Sequence, residues 1–323
     1  MPSFYDQRSP FLFLPGDWKL ANRQRGQEKT MNESEQCYVH PDRVMLGECT
    51  RKEIRERLAS GDLRGALLPI GATEQHNEHL SLNLDIVLST FISQQVALHL
   101  YPQVIVAPPL PVGYSPYHMA RKGTLTLRRE TMHAFLYDVL KSLRTHGLTT
   151  ALVVNGHGGN HGLLSDLLPD WRQELAMTID EVSYWTGMNN QQQCEILQGY
   201  RALRDGKLDT VARQTALNHA SEEETSLMLA ASPQRVRSFT MEKYDDAKLD
   251  YANNLSECVR DYLEPTFTRE GWPEGGPNPE NPRDRARQEN ALHATVEKGE
   301  ALASLHTQYV ADLMKKMLAN SAP

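Results

Sequence analysis

Short apolar runs alternate with helical segments between residues 50 and 185, and this alternation is the strongest constraint on the fold. The runs predicted as buried strands are residues 65–73, 103–110, 149–156 and 178–185. The segments with a helical spacing of apolar residues are 51–61, 84–100, 129–146 and 160–175. Strands that alternate with helices predict an α/β unit with a largely parallel sheet. In such sheets ligands bind at the carboxyl ends of the strands, so polar motifs that follow strands are candidates for a functional site.

The composition of the chain argues against several classes of protein. Its 323 residues carry a formal net charge of −7, and nothing in bulk supplies the basic face of a nucleic-acid-binding protein. The apolar runs are far shorter than the roughly 20 residues of a membrane-spanning helix, and the N-terminus has no signal-peptide pattern. The four cysteines include no CxxC pair and do not suggest a disulfide scaffold. We therefore expect a cytoplasmic protein without nucleic-acid or membrane partners.

One catalytic domain preceded by an N-terminal arm is the predicted organisation. Residues 1–45 are polar and irregular with scattered aromatic residues, and they are expected either to pack on their own subunit or to reach a neighbouring one. Residues 46–323 are predicted to form the domain, with insertions near 187–218 and 239–285. A closing helix is predicted over residues 286–318. The sequence has no internal repeat and no second core of domain size.

The first polar motif (TEQHNEHLSLNLD, residues 73–85) directly follows the first predicted strand. In extended backbone Glu74 and His76 point to the same side, because side chains alternate with a period of two. Asp85 begins the next predicted helix, where its carboxylate also suits the helix dipole. Oxygen and nitrogen ligands of this kind suit Zn²⁺ and Mn²⁺, and a solvated turn with Asp85 as helix cap is an equal alternative. Supporting or surface roles are expected for Glu78 and His79.

The second polar motif (NGHGGNHG, residues 155–162) follows the clearest predicted strand. Its four glycines allow the backbone to bend sharply at a ligand. His157 lies between glycines just after a buried strand, which favours a metal ligand over a core residue. A glycine-rich loop ahead of a helix is also typical of phosphate binding, but the motif matches neither GxGxxG nor a Walker loop. His161 is expected on the helix surface or behind the ligands.

The third polar motif (HASEEETS, residues 219–226) begins a predicted helix over residues 222–231. Three successive glutamates at a helix start are common, because negative charge there is favoured by the helix dipole. This structural interpretation and a chemical role for the glutamates have equal weight. The alternative assigns chemistry to Glu222 and Glu224, one as a metal ligand and the other in proton transfer.

The order and spacing of these motifs resemble the creatininase (creatinine amidohydrolase) family. The segments that carry the resemblance are residues 68–85, 113–127, 155–160, 219–229 and 294–305. The resemblance implies a three-layer α/β/α sandwich with a largely parallel sheet. It also implies a metal-dependent hydrolase of a small polar substrate, and a homo-oligomer, since members commonly assemble as hexamers.

The resemblance further implies that each chain holds two divalent ions, which would be Zn, Mn or Fe. Glu74, Asp85 and His157 would hold one ion. His76 and Asp85 would hold the other, so that Asp85 bridges the two. The two ions would activate a water molecule and polarise a carbonyl group.

One ligand of the family pattern is missing from this chain. The second ion of creatininase takes a Glu two residues after the ligand His, and Gly159 stands at that position here. Creatininase lacks a carboxylate at the position of Glu222, so Glu222 is the predicted replacement. Glu224 and His219 are the predicted catalytic residues, which would transfer protons.

Hydrolysis of a C–N bond in a cyclic or linear amide is the reaction that the resemblance implies. The alternatives are hydrolytic C–C ring cleavage of a keto-sugar or keto-inositol and a non-catalytic metal-binding scaffold. The predicted substrate-binding residues are His118, Tyr117, Arg121 and Trp185. Arg121 and the neighbouring Lys122 would favour an anionic or polyhydroxylated substrate, if they face the pocket rather than solvent. Trp185 is equally well explained as a core residue.

Overall fold

A four-stranded parallel sheet forms the centre of the protein in a computed structural model. The residues that this structure describes are 41–77, 79–119, 123–187, 192, 195–197, 219–237 and 290–321. The strands are β1 (Gly65–Ile70), β2 (Val104–Val106), β3 (Thr150–Asn155) and β4 (Thr178–Ser183). Their order across the sheet is β2-β1-β3-β4, and every neighbouring pair is parallel. The predicted parallel sheet is thus confirmed, although β2 is shorter than expected because Pro108 and Pro109 follow it and donate no backbone hydrogen bond.

Seven α-helices are described around this sheet. They are α1 (Arg51–Ala59), α2 (Leu84–His99), α3 (Arg129–Thr145), α4 (His161–Ser165), α5 (Leu168–Leu175), α6 (Glu222–Ala231) and α7 (Val296–Asn320). The helix predicted over residues 160–175 is two helices, with Pro169 in the first turn of the second. The closing helix begins at Val296 instead of residue 286, because Thr295 caps it by accepting a hydrogen bond from the Lys298 backbone N–H at 3.2 Å.

Helices cover both faces of the sheet, which confirms the three-layer α/β/α sandwich. Successive strand side chains point to opposite faces, so Leu67 and Leu152 pack in the layer with α2, α6 and α7. Leu68 and Val153 pack in the layer with α3 and α5. All four side chains are completely buried. Truncating one of these leucines to alanine would cost about 2–5 kcal/mol of stability.

The first turn of α2 lies against the carboxyl ends of β1 and β3. Gly71 follows β1, and a Cβ atom there would collide with the backbone of Ile86. Gly156 follows β3, and a Cβ atom there would collide with the backbone carbonyl of Asp85. The two glycines therefore allow the helix to approach both strand ends, and this approach brings Asp85 to the polar motifs.

Helix α7 packs closely along α6 and against α2. Gly299 allows this contact, because a Cβ atom there would collide with the carbonyl group of Ser226 on α6. The buried residues Leu302, Val310 and Met314 continue the apolar face of α7 into the layer that it shares with α2. Helix α7 thereby holds α6, which carries the third polar motif.

The predicted division into an arm and a domain stays a prediction. Residues 1–40 and most residues of the two predicted insertions lie outside the described residues. The last part of the predicted arm, Pro41–Val44, is a short 3-10 helix whose Val44 is completely buried in the core. Among the described helices, none is long and apolar enough to cross a membrane.

Candidate metal centre

Four buried side chains meet where β1, β3 and α2 come together. Glu74 and His76 follow β1, His157 follows β3, and Asp85 lies in the first turn of α2. His157 Nδ1 is 3.2 Å from Glu74 Oε2 and 3.1 Å from Asp85 Oδ2. His76 Nε2 is 3.1 Å from Asp85 Oδ1. Asp85 thus presents one carboxylate oxygen to each histidine, and it lies between two groups of possible ligands.

Both histidines of this cluster have a backbone carbonyl behind the ring. His76 Nδ1 is 3.2 Å from the Glu74 carbonyl, and His157 Nε2 is 3.1 Å from the Tyr114 carbonyl. A carbonyl oxygen only accepts hydrogen bonds, so each ring donates the N–H on that side. In the neutral ring the nitrogen that faces the carboxylates then carries no proton, as in histidines that bind metal ions.

The carboxylates of the cluster attract positive charge. Burial alone lowers the pKa of His76, but Asp85, Glu224 and Glu74 together raise that pKa to about 10. Burial also lowers the pKa of His157, and Glu74 and Asp85 raise it to about 9. Burial opposes ionisation of Glu74, yet the surrounding histidines hold its pKa well below the usual value. Positive charge at this position is provided either by protons on the imidazoles or by metal ions between the ligands.

A divalent metal ion fits these residues. His76 Nε2 and Asp85 Oδ2 are completely buried, and neither has a hydrogen-bond partner of good geometry among the described residues. The separations of 3.1–3.2 Å between ligand atoms are near the roughly 3.4 Å expected for two ligands of one tetrahedral ion. Imidazole nitrogen and carboxylate oxygen together suit zinc and manganese. Glu74, His76 and Asp85 form one group whose possible ligand atoms lie close enough together to hold a single ion.

The carboxylates of the first two glutamates of the third motif contact residues of α7. Glu222 is completely buried, and its carboxylate forms an ion pair with Lys298 on α7 at 2.5 Å. Glu223 Oε1 is 3.3 Å from His306 Nε2, also on α7. The expectation that Glu222 replaces the missing metal ligand is therefore corrected, because the carboxylate of Glu222 is bound to an ammonium group of another helix.

Glu224 is the glutamate of this helix that reaches the cluster. Its Oε2 atom is 3.8 Å from His76 Nε2 and accepts a hydrogen bond from the Ala220 backbone N–H at 2.5 Å. Glu224 also belongs, with His76 and His219, to a group of side chains close enough to share an ion. Gly159 and Glu224 both line the pocket that leads to the cluster.

Two further histidines lie beside the Glu74 carboxylate. His219 Nδ1 is 3.1 Å from Glu74 Oε1, and His118 Nε2 is 3.8 Å from the same oxygen. The rings of His118 and His219 are stacked with their centroids 4.9 Å apart. Burial lowers the pKa of His118 to about 3, although Glu74 acts in the opposite direction.

An open pocket of about 360 Å³ leads to the cluster, a volume that suits a small molecule. Tyr184 and Trp185, which follow β4, line the same pocket. The two rings meet edge to face with centroids 5.1 Å apart. The structure also brings His118, His219 and Glu224 to this pocket.

The remaining sequence-predicted residues lie away from the pocket or outside the described part of the chain. His79 is buried against Thr225, at 2.9 Å from its hydroxyl, and burial lowers the pKa of His79 to about 4. His161 is exposed on α4, with Nδ1 3.0 Å from Glu181. Glu78, Arg121, Lys122 and the side chain of Tyr117 lie outside the described residues.

Sequence reasoning missed two polar residues that contact the cluster. Ser115 donates a hydrogen bond from Oγ to Glu74 Oε2 at 2.6 Å, and the Ser115 side chain is completely buried. Gln75 contacts both His118 and His219 through its side-chain amide. Ser and Gln are common residue types without the ligand chemistry that drew attention to the motifs, so only the position of Gln75 within the first motif could have indicated its role.

Known proteins provide an independent comparison. A family model described as "Creatininase: Creatinine amidohydrolase" matches residues 47–314. The creatinine amidohydrolase of Pseudomonas putida is 30% identical over 204 residues, which are 60% of this chain and 74% of that protein. A 3-dehydro-scyllo-inosose hydrolase of Thermotoga maritima is 29% identical over 198 residues, which are 60% of this chain and 58% of that protein.

A solved structure described as "Creatininase Mn" has the same fold. It superposes with a TM-score of 0.60 at 24% identity and covers 84% of this chain and 98% of its own. The match of the family model includes the whole sheet, the four-residue cluster and most of α7. The chain therefore belongs to the creatininase family and is a metal-dependent hydrolase of the creatininase type.

Proposed function

We propose that this protein hydrolyses a C–N bond in a cyclic or linear amide of a small polar molecule, with two divalent ions bound in each chain. The observation that carries the proposal is the buried cluster of Glu74, His76, Asp85 and His157, in which Asp85 faces both histidines. Buried carboxylates without metal ions or other cations are costly, so a set of this kind is consistent with cation binding. The four residues are also intact against the family pattern, which argues against a non-catalytic scaffold.

The ligands divide into two sets that share Asp85. Glu74, Asp85 and His157 would hold the first ion, since His157 Nδ1 lies within 3.2 Å of both carboxylates. His76, Asp85 and Glu224 would hold the second, with Glu224 in place of the ligand missing at Gly159. Zinc or manganese suits these ligands best, and iron is the third choice. Such a pair of ions supplies an activated water molecule and polarises a substrate carbonyl.

The residues around the ligands would handle the substrate and its protons. His219 is partly exposed to the pocket and lies 3.1 Å from Glu74, so it can deliver a proton to a leaving nitrogen. Trp185 and Tyr184 provide an apolar wall against which a small substrate packs. His118 lines the same pocket and offers a further polar contact to the substrate.

Hydrolytic C–C cleavage of a keto-sugar or keto-inositol is the second candidate. It is favoured by the similarity to the 3-dehydro-scyllo-inosose hydrolase, which is nearly as high as that to the creatinine amidohydrolase. The same ligand set would serve, because a ketone needs the same polarisation as an amide carbonyl. The two candidates differ in the substrate that the pocket accepts and in the bond that is cleaved.

Reconstitution with metal followed by substrate assays tests this proposal. Metal-depleted protein loaded with Mn²⁺ or Zn²⁺ is assayed against creatinine, other lactams, formamides and keto-cyclitols. We expect metal-dependent turnover of at least one C–N substrate, and turnover of keto-cyclitols alone would favour the second candidate. If the protein retains no metal after incubation with Mn²⁺ or Zn²⁺, both candidate reactions are contradicted and a non-catalytic scaffold is favoured.

Elemental analysis of matched variants tests the assignment of the ligands. His157→Asn is expected to lose the first ion, whereas His161→Asn, an exposed histidine of the same motif, keeps the wild-type metal content. Glu224→Gln is expected to lower the content toward one ion per chain. Glu222→Gln is expected to leave it unchanged, and the reverse outcome for these two glutamates would refute the second site as proposed here.

The cellular setting is proposed from the composition of the chain, and the assembly from the resemblance to the family. We propose a cytoplasmic homo-oligomer, a hexamer as is common in the family, to which residues 1–45 contribute. Light scattering of the full chain and of a variant without residues 1–40 tests this proposal. An unchanged oligomer in the truncated protein would contradict the contribution of the arm.

A further inference from the structure

The side-chain amide of Gln75 lies between two histidines of the pocket. Its Nε2 atom is 3.2 Å from His118 Nδ1 and 2.8 Å from His219 Nε2. Its Oε1 atom is 3.3 Å from the backbone nitrogen of Asn77. Gln75 itself is buried, with 7% of its surface exposed, so these contacts take the place of water.

The Asn77 backbone determines which way this amide is oriented. A backbone N–H can only donate a hydrogen bond, so the atom of Gln75 that faces it must be the carbonyl oxygen. The NH₂ group then faces the two rings and has one hydrogen for each of them. A neutral imidazole accepts a hydrogen bond only at its unprotonated nitrogen, so each ring carries its proton on the opposite nitrogen.

The resulting tautomers present N–H groups to the Glu74 carboxylate. In His219 the proton is on Nδ1, which is 3.1 Å from Glu74 Oε1. In His118 the proton is on Nε2, which is 3.8 Å from the same oxygen. This arrangement is the reverse of that in the neutral rings of His76 and His157, which donate to backbone carbonyls and have no proton on the nitrogen that faces the carboxylates.

We propose that Gln75 is a positioning residue that fixes the tautomers of His118 and His219, so that His219 donates a hydrogen bond to Glu74, His118 turns its Nε2–H to the same carboxylate, and neither ring binds a metal ion. The distances alone would allow one ion among Glu74, His118 and His219. A nitrogen that carries a proton cannot bind a metal ion, so the tautomers exclude this site. The inference deepens the proposed function, on which it rests only for the use of the His219 proton in turnover.

The four histidines of the pocket would therefore have two different roles. Two have an acceptor behind the ring and can bind metal ions through the inner nitrogen. Two have a donor behind the ring and can only donate from the inner nitrogen. A single amide therefore keeps His219 in the form that can give its Nδ1 proton to a substrate.

Nitrogen NMR of protein labelled with ¹⁵N-histidine measures these tautomers directly. The signals of the two rings are assigned from their loss in His118→Asn and His219→Asn. In the metal-free and zinc-loaded wild type, we expect a protonated Nδ1 in His219 and a protonated Nε2 in His118. The opposite tautomer in either ring, a doubly protonated ring, or loss of either proton on zinc loading would overturn the inference.

Two variants distinguish the effect of the Gln75 amide on the tautomers from the effect of the loop that carries it. Gln75→Glu keeps the size of the side chain but cannot donate, so we expect His219 Nε2 to become protonated. Asn77→Gly keeps the backbone N–H and suits the positive φ of 54° at this position, so it should leave both tautomers unchanged. Unchanged tautomers in Gln75→Glu, or changed ones in Asn77→Gly, would refute the role of Gln75.

These measurements do not depend on turnover. If the tautomers are as expected and no substrate is hydrolysed, the proposed function fails while the role of Gln75 stands. If Gln75→Glu does not fold, the wild-type spectra alone decide the outcome.

Discussion

Lys298 on α7 forms an ion pair with the buried carboxylate of Glu222, and replacing Lys298 with Met tests whether this pair is structural. The Glu222 side chain is completely buried, and the Lys298 side chain is 15% exposed. Lys298 Nζ also donates a hydrogen bond to the His293 carbonyl at 2.7 Å. Met keeps most of the length and apolar surface of Lys but removes the charge, so Glu222 loses the ammonium group that balances it.

The expected loss of stability is large for a single substitution. Removal of one partner from a buried ion pair costs about 3–5 kcal/mol, because the remaining charge keeps its desolvation penalty. The slight exposure of Lys298 places the expected value at the lower end, about 3 kcal/mol. For a chain of 323 residues, that corresponds to a decrease of roughly 4–5 °C in the melting temperature.

Thermal denaturation of matched variants measures this effect. Lys315→Met is the control on the same helix, because Lys315 and Asp312 are both about half exposed and 3.6 Å apart. Such an exposed pair contributes about 0–1 kcal/mol. The double variant Glu222→Leu with Lys298→Met is expected to recover most of the lost stability. Equal effects of Lys298→Met and Lys315→Met would refute the assignment of Glu222 to a structural pair.

Three further predictions concern the metal centre. Gly156→Ala is expected to displace the start of α2, destabilise the protein by about 1–3 kcal/mol and lower its metal content, whereas Gly158→Ala, which has open space, changes neither. Ser115→Ala is expected to weaken metal affinity by about 10-fold or more in a chelator competition, because it removes a hydrogen bond to a ligand carboxylate. The pKa values of about 10 for His76 and about 9 for His157 mean that metal must displace both protons at neutral pH. Metal affinity should thus rise with pH up to about 10, more steeply below about 9 than above it, and calorimetry that detects no proton release at pH 7 would contradict this prediction.

The fold and the meeting of the four cluster residues were predictable because they depend on local patterns. The strand around Leu152 is recognisable from a continuous apolar run, and parallel strands place their carboxyl ends at one edge of the sheet. Glu74, His76 and His157 follow such strands directly. Their convergence therefore needed no knowledge of side-chain packing.

The error at Glu222 has a physical reason that helix geometry makes clear. Residues two positions apart on an α-helix point about 200° away from each other around the axis. Glu222 and Glu224 both lie in the first turn of α6, so only one of them can face the cluster. The choice between them depends on Lys298, which is 76 residues away in sequence.

The role of Gln75 was not predictable for a different reason. Its partners His118 and His219 are 43 and 144 residues away in sequence, so nothing within the first motif indicates these contacts. The orientation of the amide depends on the Asn77 backbone, which has a positive φ of 54°. A tautomer is determined by such contacts and not by residue type.

The close packing of α7 on α6 has a consequence for the order in which the site matures during synthesis. Glu74, Asp85 and His157 are translated well before α6, and the partners that fix the start of α6, Lys298 and His306, are translated later still. During synthesis the four-residue cluster is therefore complete in sequence while the helix that carries Glu224 still lacks its support from α7. The ligands proposed for the first ion would therefore be present in the growing chain early, whereas Glu224 would reach its place beside His76 only after α7 has packed on α6.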